Sequence, residues 1–190
     1  MKYTILAALI AFGLAIQAQA ADRYVLDRSH SQVIFSYDHL GFSTTFGMFS
    51  GFEGELMLDK DNPAASSVNV FIKAQSLITG WDRRDGHFTG GDFFDAGKHP
   101  LVTFKSTNVE VTGDTTAKIT GDLTMNGITK SINLDTKLNK MGNHPRSQKP
   151  WAGFTANTTV NRSEWDMGMA APFVSDAVDL TISVEAMLAN

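Results

Sequence analysis

Apolar and polar positions alternate with period two along most of the chain beyond residue 30, the pattern of strands with one buried and one solvated face. Val33, Phe35, Tyr37 and His39 share one phase against Ile34, Ser36 and Asp38. Phe46, Met48, Phe52, Leu56 and Leu58 read as one phase of a single strand within Thr44 to Asp59. Val68, Val70 and Ile72 follow, then Val102 and Phe104, then Ala117, Ile119, Leu123 and Met125. Ile132, Leu134 and Leu138, then Phe154, Ala156 and Val160, and finally Val178, Leu180, Ile182, Val184 and Leu188 complete the series.

About eight long strands result, none with the continuous apolar run of a parallel sheet covered on both faces. A sheet with one apolar face and no helices to cover it must fold over or close on itself, and closure also removes exposed edges. The expected fold class is all-β: an eight-stranded antiparallel β-barrel of up-and-down order, with a β-sandwich as the alternative. Asn126-Gly127 between two alternating runs predicts a tight hairpin. Gly47, Gly51 and Gly54 fall inside one expected strand, where glycine marks bulges or bends. Only Thr79 to Phe94 clearly breaks the alternation. Thr79 is placed to cap a short helix over 82–88 that ends at Gly90-Gly91, a helical lid over one barrel end. Asn139 to Pro150 reads as a polar loop.

Residues 1–20 carry Lys2, an apolar run from Ile5 to Ile16 and Ala18-Gln19-Ala20, the order of a cleavable export signal. The run is shorter than the roughly 20 apolar residues a spanning helix needs. The expected mature domain is therefore 21–190, exported, with the bacterial periplasm as its compartment. The chain has no cysteine among 190 residues, which excludes disulfides, thiolate metal sites and thiol nucleophiles. A formal charge of -4 gives no electrostatic basis for binding nucleic acid or an anionic membrane surface.

The five histidines (His30, His39, His87, His99 and His144) show no metal-ligand spacing. A carboxylate that joined His30 and His39 in space is the one arrangement left open, and no metal is expected. A nucleophile elbow and a phosphate-cradling loop are both absent from the sequence. The cluster of Arg84, Asp85 and His87 reads first as a lid fixed by ion pairing, and the protein as no enzyme. A closed barrel of eight strands either fills with side chains or holds one ligand, and the alternation leaves both open.

The order of several short segments resembles the YceI family over essentially the whole mature region. These are Tyr24-Val25-Leu26-Asp27 with His30-Ser31, Phe35 through His39-Leu40-Gly41, and Gly47-Met48-Phe49 with Phe52-Glu53-Gly54. Arg84-Asp85-Gly86-His87-Phe88 leads to Asp92-Phe93-Phe94-Asp95, and Pro100 to Phe104-Lys105-Ser106. Gly121 through Lys130, Gly153-Phe154, Arg162 with Trp165, and Val178 through Glu185 complete it. Phe88, where the family usually carries Leu, and Ser131, where it often has Pro, are departures.

The resemblance implies a lipocalin-like barrel whose apolar interior holds a long isoprenoid chain, polyprenyl or isoprenoid quinone, for storage or transport. The lipid is the ligand and no other cofactor is implied. On that reading Phe35, Tyr37, Phe46, Phe52, Trp81, Phe88, Phe104, Met125 and Phe154 are the expected ligand contacts, with ordinary core packing as the alternative for the apolar ones. Tyr37, His39 and Arg84 are the candidates for a head group. A fatty acid or amide carrier and a ligand-free structural or stress protein are the rival functions. Transient membrane contact and a homodimer stay open.

Overall fold

In a computed structural model of the chain, which describes residues 21–189, the alternating segments close into one antiparallel barrel. The expected export signal, 1–20, lies outside the described residues. The strands are β1 (Asp22–Leu26), β2 (Gln32–His39), β3 (Ser43–Ser50), β4 (Glu53–Leu58), β5 (Ser67–Lys73), β6 (Leu101–Gly113), β7 (Thr116–Met125), β8 (Ile128–Asn143), β9 (Pro150–Asn161) and β10 (Ala177–Leu188). β1 and β2 are halves of one bent strand, since both pair with β10, through Tyr24↔Leu188 and Ile34↔Thr181 respectively. β3 and β4 are halves of the next, pairing with β2 and β1. Around the wall there are thus eight strands, each antiparallel to its neighbours, with one short helix, α1 (Asp82–Phe88).

The break between β3 and β4 corrects one expectation. Read as a single strand, 44–59 put Phe46 and Phe52 on the same face. Gly51 instead takes φ 75°, a left-handed bend that costs glycine little, and the chain changes phase there. Phe49 is 7% exposed before the bend and Phe52 4% after it, whereas Phe46 is 61% exposed on the outer face. Gly54 (φ 141°) brings β4 so close to β5 that a Cβ would lie 2.3 Å from the Asn69 carbonyl oxygen. Asn126 and Gly127 take φ 47° and 73° between β7 and β8, the expected two-residue hairpin.

Asn139 to Asn143 are strand rather than loop: β8 and β9 continue to Asn143↔Pro150 beyond a register shift at Leu138/Lys140. Their residues read as loop because this hairpin projects past the core and has no face to bury. Thr79 does not cap α1, which begins after Trp81 without a side-chain cap. The Asp85 carboxylate reaches back instead and accepts hydrogen bonds from the Thr79 amide (2.8 Å) and hydroxyl.

Candidate functional site

Inward-facing side chains of the eight wall strands surround a cavity of about 1000 Å³, at the top of the range of small-molecule pockets. Val33 and Phe35 from β2, Val70 from β5, Phe104 from β6, Leu134 from β8, Ala156 from β9 and Leu180 and Ile182 from β10 all border it. These are the positions whose alternation defined the strands.

Why the barrel is hollow is visible at two glycines. Gly47 is the inward residue opposite Phe35 on the neighbouring strand, and a Cβ there would lie 2.2 Å from the Phe35 ring. A Cβ on Gly121 would lie 2.4 Å from the Phe104 ring and 2.7 Å from the Lys105 carbonyl oxygen. Each ring therefore lies over a stretch of wall that has no side chain, and its bulk stays out of the lumen.

The two barrel ends differ. At one end Leu26 and Leu56 are the last residues of β1 and β4 to border the cavity. Tyr24 and Leu58, further along those strands, are 1% and 8% exposed and fill the space beyond them. At the other end the cavity reaches Trp81 and Met169, which also face solvent at 55% and 49% exposure. The mouth lies there, between the β2–β3 turn, α1 and the 166–176 loop.

Aromatic contacts run from wall to lid. Phe35 meets Phe49 at 5.8 Å between ring centroids, and Phe49 meets Phe94 edge-on at 5.3 Å. Tyr37 contacts Phe88 at 6.0 Å and Phe88 contacts Phe93 at 4.8 Å. The lid is held by Asp85 on Thr79 and by His87 with Asp92 at 3.5 Å. Arg84 makes no ion pair among the described residues; its guanidinium lies 5.5 Å from the Trp81 ring centroid, a cation–π arrangement.

Arg162 is the buried charge of the site, 8% exposed at the cavity border. It donates to the carbonyl oxygens of Ser175 (2.9 Å), Val174 (2.9 Å) and Met167, so the planar fork ties the 166–176 loop to the barrel. Burial draws its guanidinium below the ordinary value, against the pull of Asp176 and Tyr37, although an arginine remains charged.

Of the residues expected at the ligand, Phe35, Tyr37, His39, Phe52, Trp81, Arg84, Phe88, Phe104, Met125 and Phe154 all border the cavity. Phe46 does not, because the bend at Gly51 puts it on the outside. Phe49, Phe93, Phe94, Arg83, Arg162 and Met169 border it too and were not among the expected ligand contacts. Phe49 was hidden by its neighbour in phase, Gly47, which shows no apolar side chain. Arg162 was hidden because a charge rarely faces inward. His30 and His39 flank β2 at opposite ends, so no carboxylate joins them. His30 instead pairs through Nδ1 with Asp27 at 2.6 Å beside Glu185, and the Glu185 carboxylate accepts a bond from Trp151 Nε1 at 3.0 Å.

Residues 24–186 match the model of the YceI-like domain. The chain belongs to the YceI-like domain family. A UPF0312 protein of Pseudomonas paraeruginosa is 39% identical over 188 residues, covering 94% of this chain and 95% of the relative. The Campylobacter jejuni YceI protein has a crystal structure matching at TM-score 0.72 with 30% identity, over 80% of this chain and 90% of that one. A polyisoprenoid binding domain from Saccharophagus degradans, implicated in plant cell wall breakdown, shares the fold at TM-score 0.67 and 13% identity, over 90% of this chain and all of that one. The YceI-like barrel here thus has both its cavity and its lid within the matched region.

Proposed function

We propose that this YceI-like protein is a periplasmic, non-catalytic carrier that holds a long isoprenoid chain, polyprenyl or isoprenoid quinone, in its barrel for storage or transport. The observation that carries this reading is the closed apolar lumen of about 1000 Å³ with one mouth and a buried aromatic wall. A filled core would have favoured the ligand-free structural protein. The Saccharophagus degradans neighbour, described as a polyisoprenoid binding domain, supports the same ligand chemistry. Met125 and Met167 on the wall add side chains that adapt to an irregular branched tail. Tyr37, His39 and Arg84 border the mouth half of the cavity, where a head group is left when the tail enters first.

Burying each CH₂ is worth about 0.8 kcal/mol relative to water, but a bilayer offers the same tail nearly the same gain. Transfer between the two is therefore close to balance, which suits a carrier. Mass spectrometry of organic extracts from protein purified natively from its own cell envelope tests the proposal. A stoichiometric prenyl species is expected; an acyl or amide species would transfer the reading to a fatty acid carrier, and lipid-free protein would overturn it.

A further inference from the structure

We infer that the rim of the barrel mouth is a docking surface for a phospholipid bilayer, entered by Phe42 and Phe173 with Arg83 and Arg84 at the level of the lipid phosphates. Phe42 at the tip of the β2–β3 turn is 88% exposed and Phe173 in the 166–176 loop is 76% exposed. Leu40, Met169 and Trp81 beside them are 47%, 49% and 55% exposed. Single exposed apolar residues are ordinary, but several gathered at one opening mark an interaction site.

Both loops are built to present these side chains. The Leu40 amide donates to the Phe173 carbonyl at 3.2 Å, and Ser175 donates to the Asp38 carbonyl at 3.0 Å, so the two tips are tied together. The Phe42 amide donates to His39 at 3.0 Å and the Gly41 amide to the Asp38 carboxylate at 2.7 Å. Arg162 holds the second loop from within. Leu40 and Ala170 take φ 60° and 61°, left-handed values that cost a residue with a Cβ and persist where the surroundings enforce them. The bonds fix both loop tips at the mouth, where the Phe42 and Phe173 side chains are exposed.

Two observations identify the partner as a bilayer. The first is continuity: Trp81 and Met169 belong both to the exposed rim and to the cavity wall. An apolar tail leaving a membrane at this rim would reach the lumen without crossing water. The second is charge. Arg83 and Arg84 border the mouth with no carboxylate in ion-pair reach among the described residues. Asp82 precedes them on α1, and Asp38, Asp85 and Asp92 are bonded to Gly41, Thr79 and His87, so the rim carries both signs of charge. Two arginines behind inserted aromatic rings match the phosphates that zwitterionic and anionic phospholipids both carry above their acyl chains. The purpose of docking rests on the lipid-carrier reading, but the surface itself is tested separately.

Co-sedimentation of the mature protein with phosphatidylethanolamine/phosphatidylglycerol vesicles provides that test. Binding is expected, with a loss of about 100-fold in the Phe42→Ser/Phe173→Ser double variant, since each ring carries a full aromatic burial. Both rings are exposed, so the variant should keep its thermal melt. Phe42→Trp should retain binding and be quenched by lipids brominated on the acyl chain. Absence of wild-type binding, unchanged binding in the double variant, or no quenching in Phe42→Trp would each overturn the proposal. So would a concentration-dependent dimer that buries Phe42 and Phe173. If vesicles bind through the rim while native extracts hold no prenyl lipid, docking stands and the carrier reading falls. If extracts hold prenyl lipid and vesicles do not bind, the reverse applies.

Discussion

The two ends of this barrel are built from the same strands and reach opposite solutions. At the closed end Tyr24 and Leu58 fill the interior, and the rim carries paired charges: Arg23 with Glu55 at 2.5 Å and Lys60 with Asp22 at 2.6 Å. At the mouth the interior is vacant, aromatic rings face solvent, and Arg83 and Arg84 lack acidic partners among the described residues. The comparison teaches that tight packing and open space occupy separate halves of one wall. A solid end with satisfied charges anchors the strands, so that the other end can leave space unfilled and apolar surface uncovered.

The most forceful way to break this division is to make the same deletion in each half. Leu58 and Leu134 are 8% and 7% exposed, but only Leu134 borders the cavity. Leu58→Ala should cost about 3–4 kcal/mol in urea unfolding of the lipid-free protein, and Leu134→Ala about 2 kcal/mol, because part of its surroundings is already void. Equal losses would mean that the lumen is packed in solution.

The glycines under the rings offer a sharper cut. At Gly121 a Cβ meets the Lys105 backbone as well as the Phe104 ring, whereas at Gly47 the three nearest atoms all belong to the Phe35 ring. Gly121→Ala should lose about 2 kcal/mol. Gly47→Ala should stay within about 1 kcal/mol of wild type while pushing Phe35 into the lumen. Titration with a fluorescent prenyl probe should then show several-fold weaker uptake in Gly47→Ala, and undiminished uptake would count against a lumen kept open by that glycine.

Phe88 packs against Tyr37 and Phe93 where the lid meets the wall. Phe88→Leu should speed exchange of the same probe a few-fold with little change in affinity, and unchanged kinetics would remove Phe88 as a gate.

The smallest effect is expected at the bend between β1 and β2. The hydrogen bond that His30 donates to the Asp27 carboxylate raises the His30 pKa above its ordinary value, and the charges on Asp27 and Glu185 add to it. Burial works against ionisation of Asp27, but its bonds from His30 and Ser29 together hold its carboxyl below the ordinary value. The pair thus stabilises the fold where Asp27 is ionised and His30 protonated. That contribution fades as pH rises through the raised histidine value and as it falls through the lowered aspartate value. His30→Gln should lower the melting temperature slightly near pH 5–6, about midway between the ordinary values of the two groups, and not near pH 9. A deficit equal at both pH values would assign the loss to packing instead.

Much of the wall could be read directly from residue order. Strand alternation placed Val33, Phe35, Phe104 and Leu180 inward, and Asn126-Gly127 marked its hairpin, because side-chain direction in a strand and the φ a tight turn demands are local properties. Phe46 went to the wrong face because a single bend at Gly51 reverses parity for one half of a strand, and only pairing with β2 and β1 reveals where the bend falls.

What the sequence by itself determined is the inside and outside of each strand, the presence of a lid, and through its ordered motifs the family. Tertiary structure alone decided that the centre is hollow, that Arg162 turns inward to hold a loop, and that Leu40 and Phe173 meet at one rim. Alternation is set within a few residues by backbone geometry. Empty volume and the meeting of distant loops depend instead on how all eight strands close around one another.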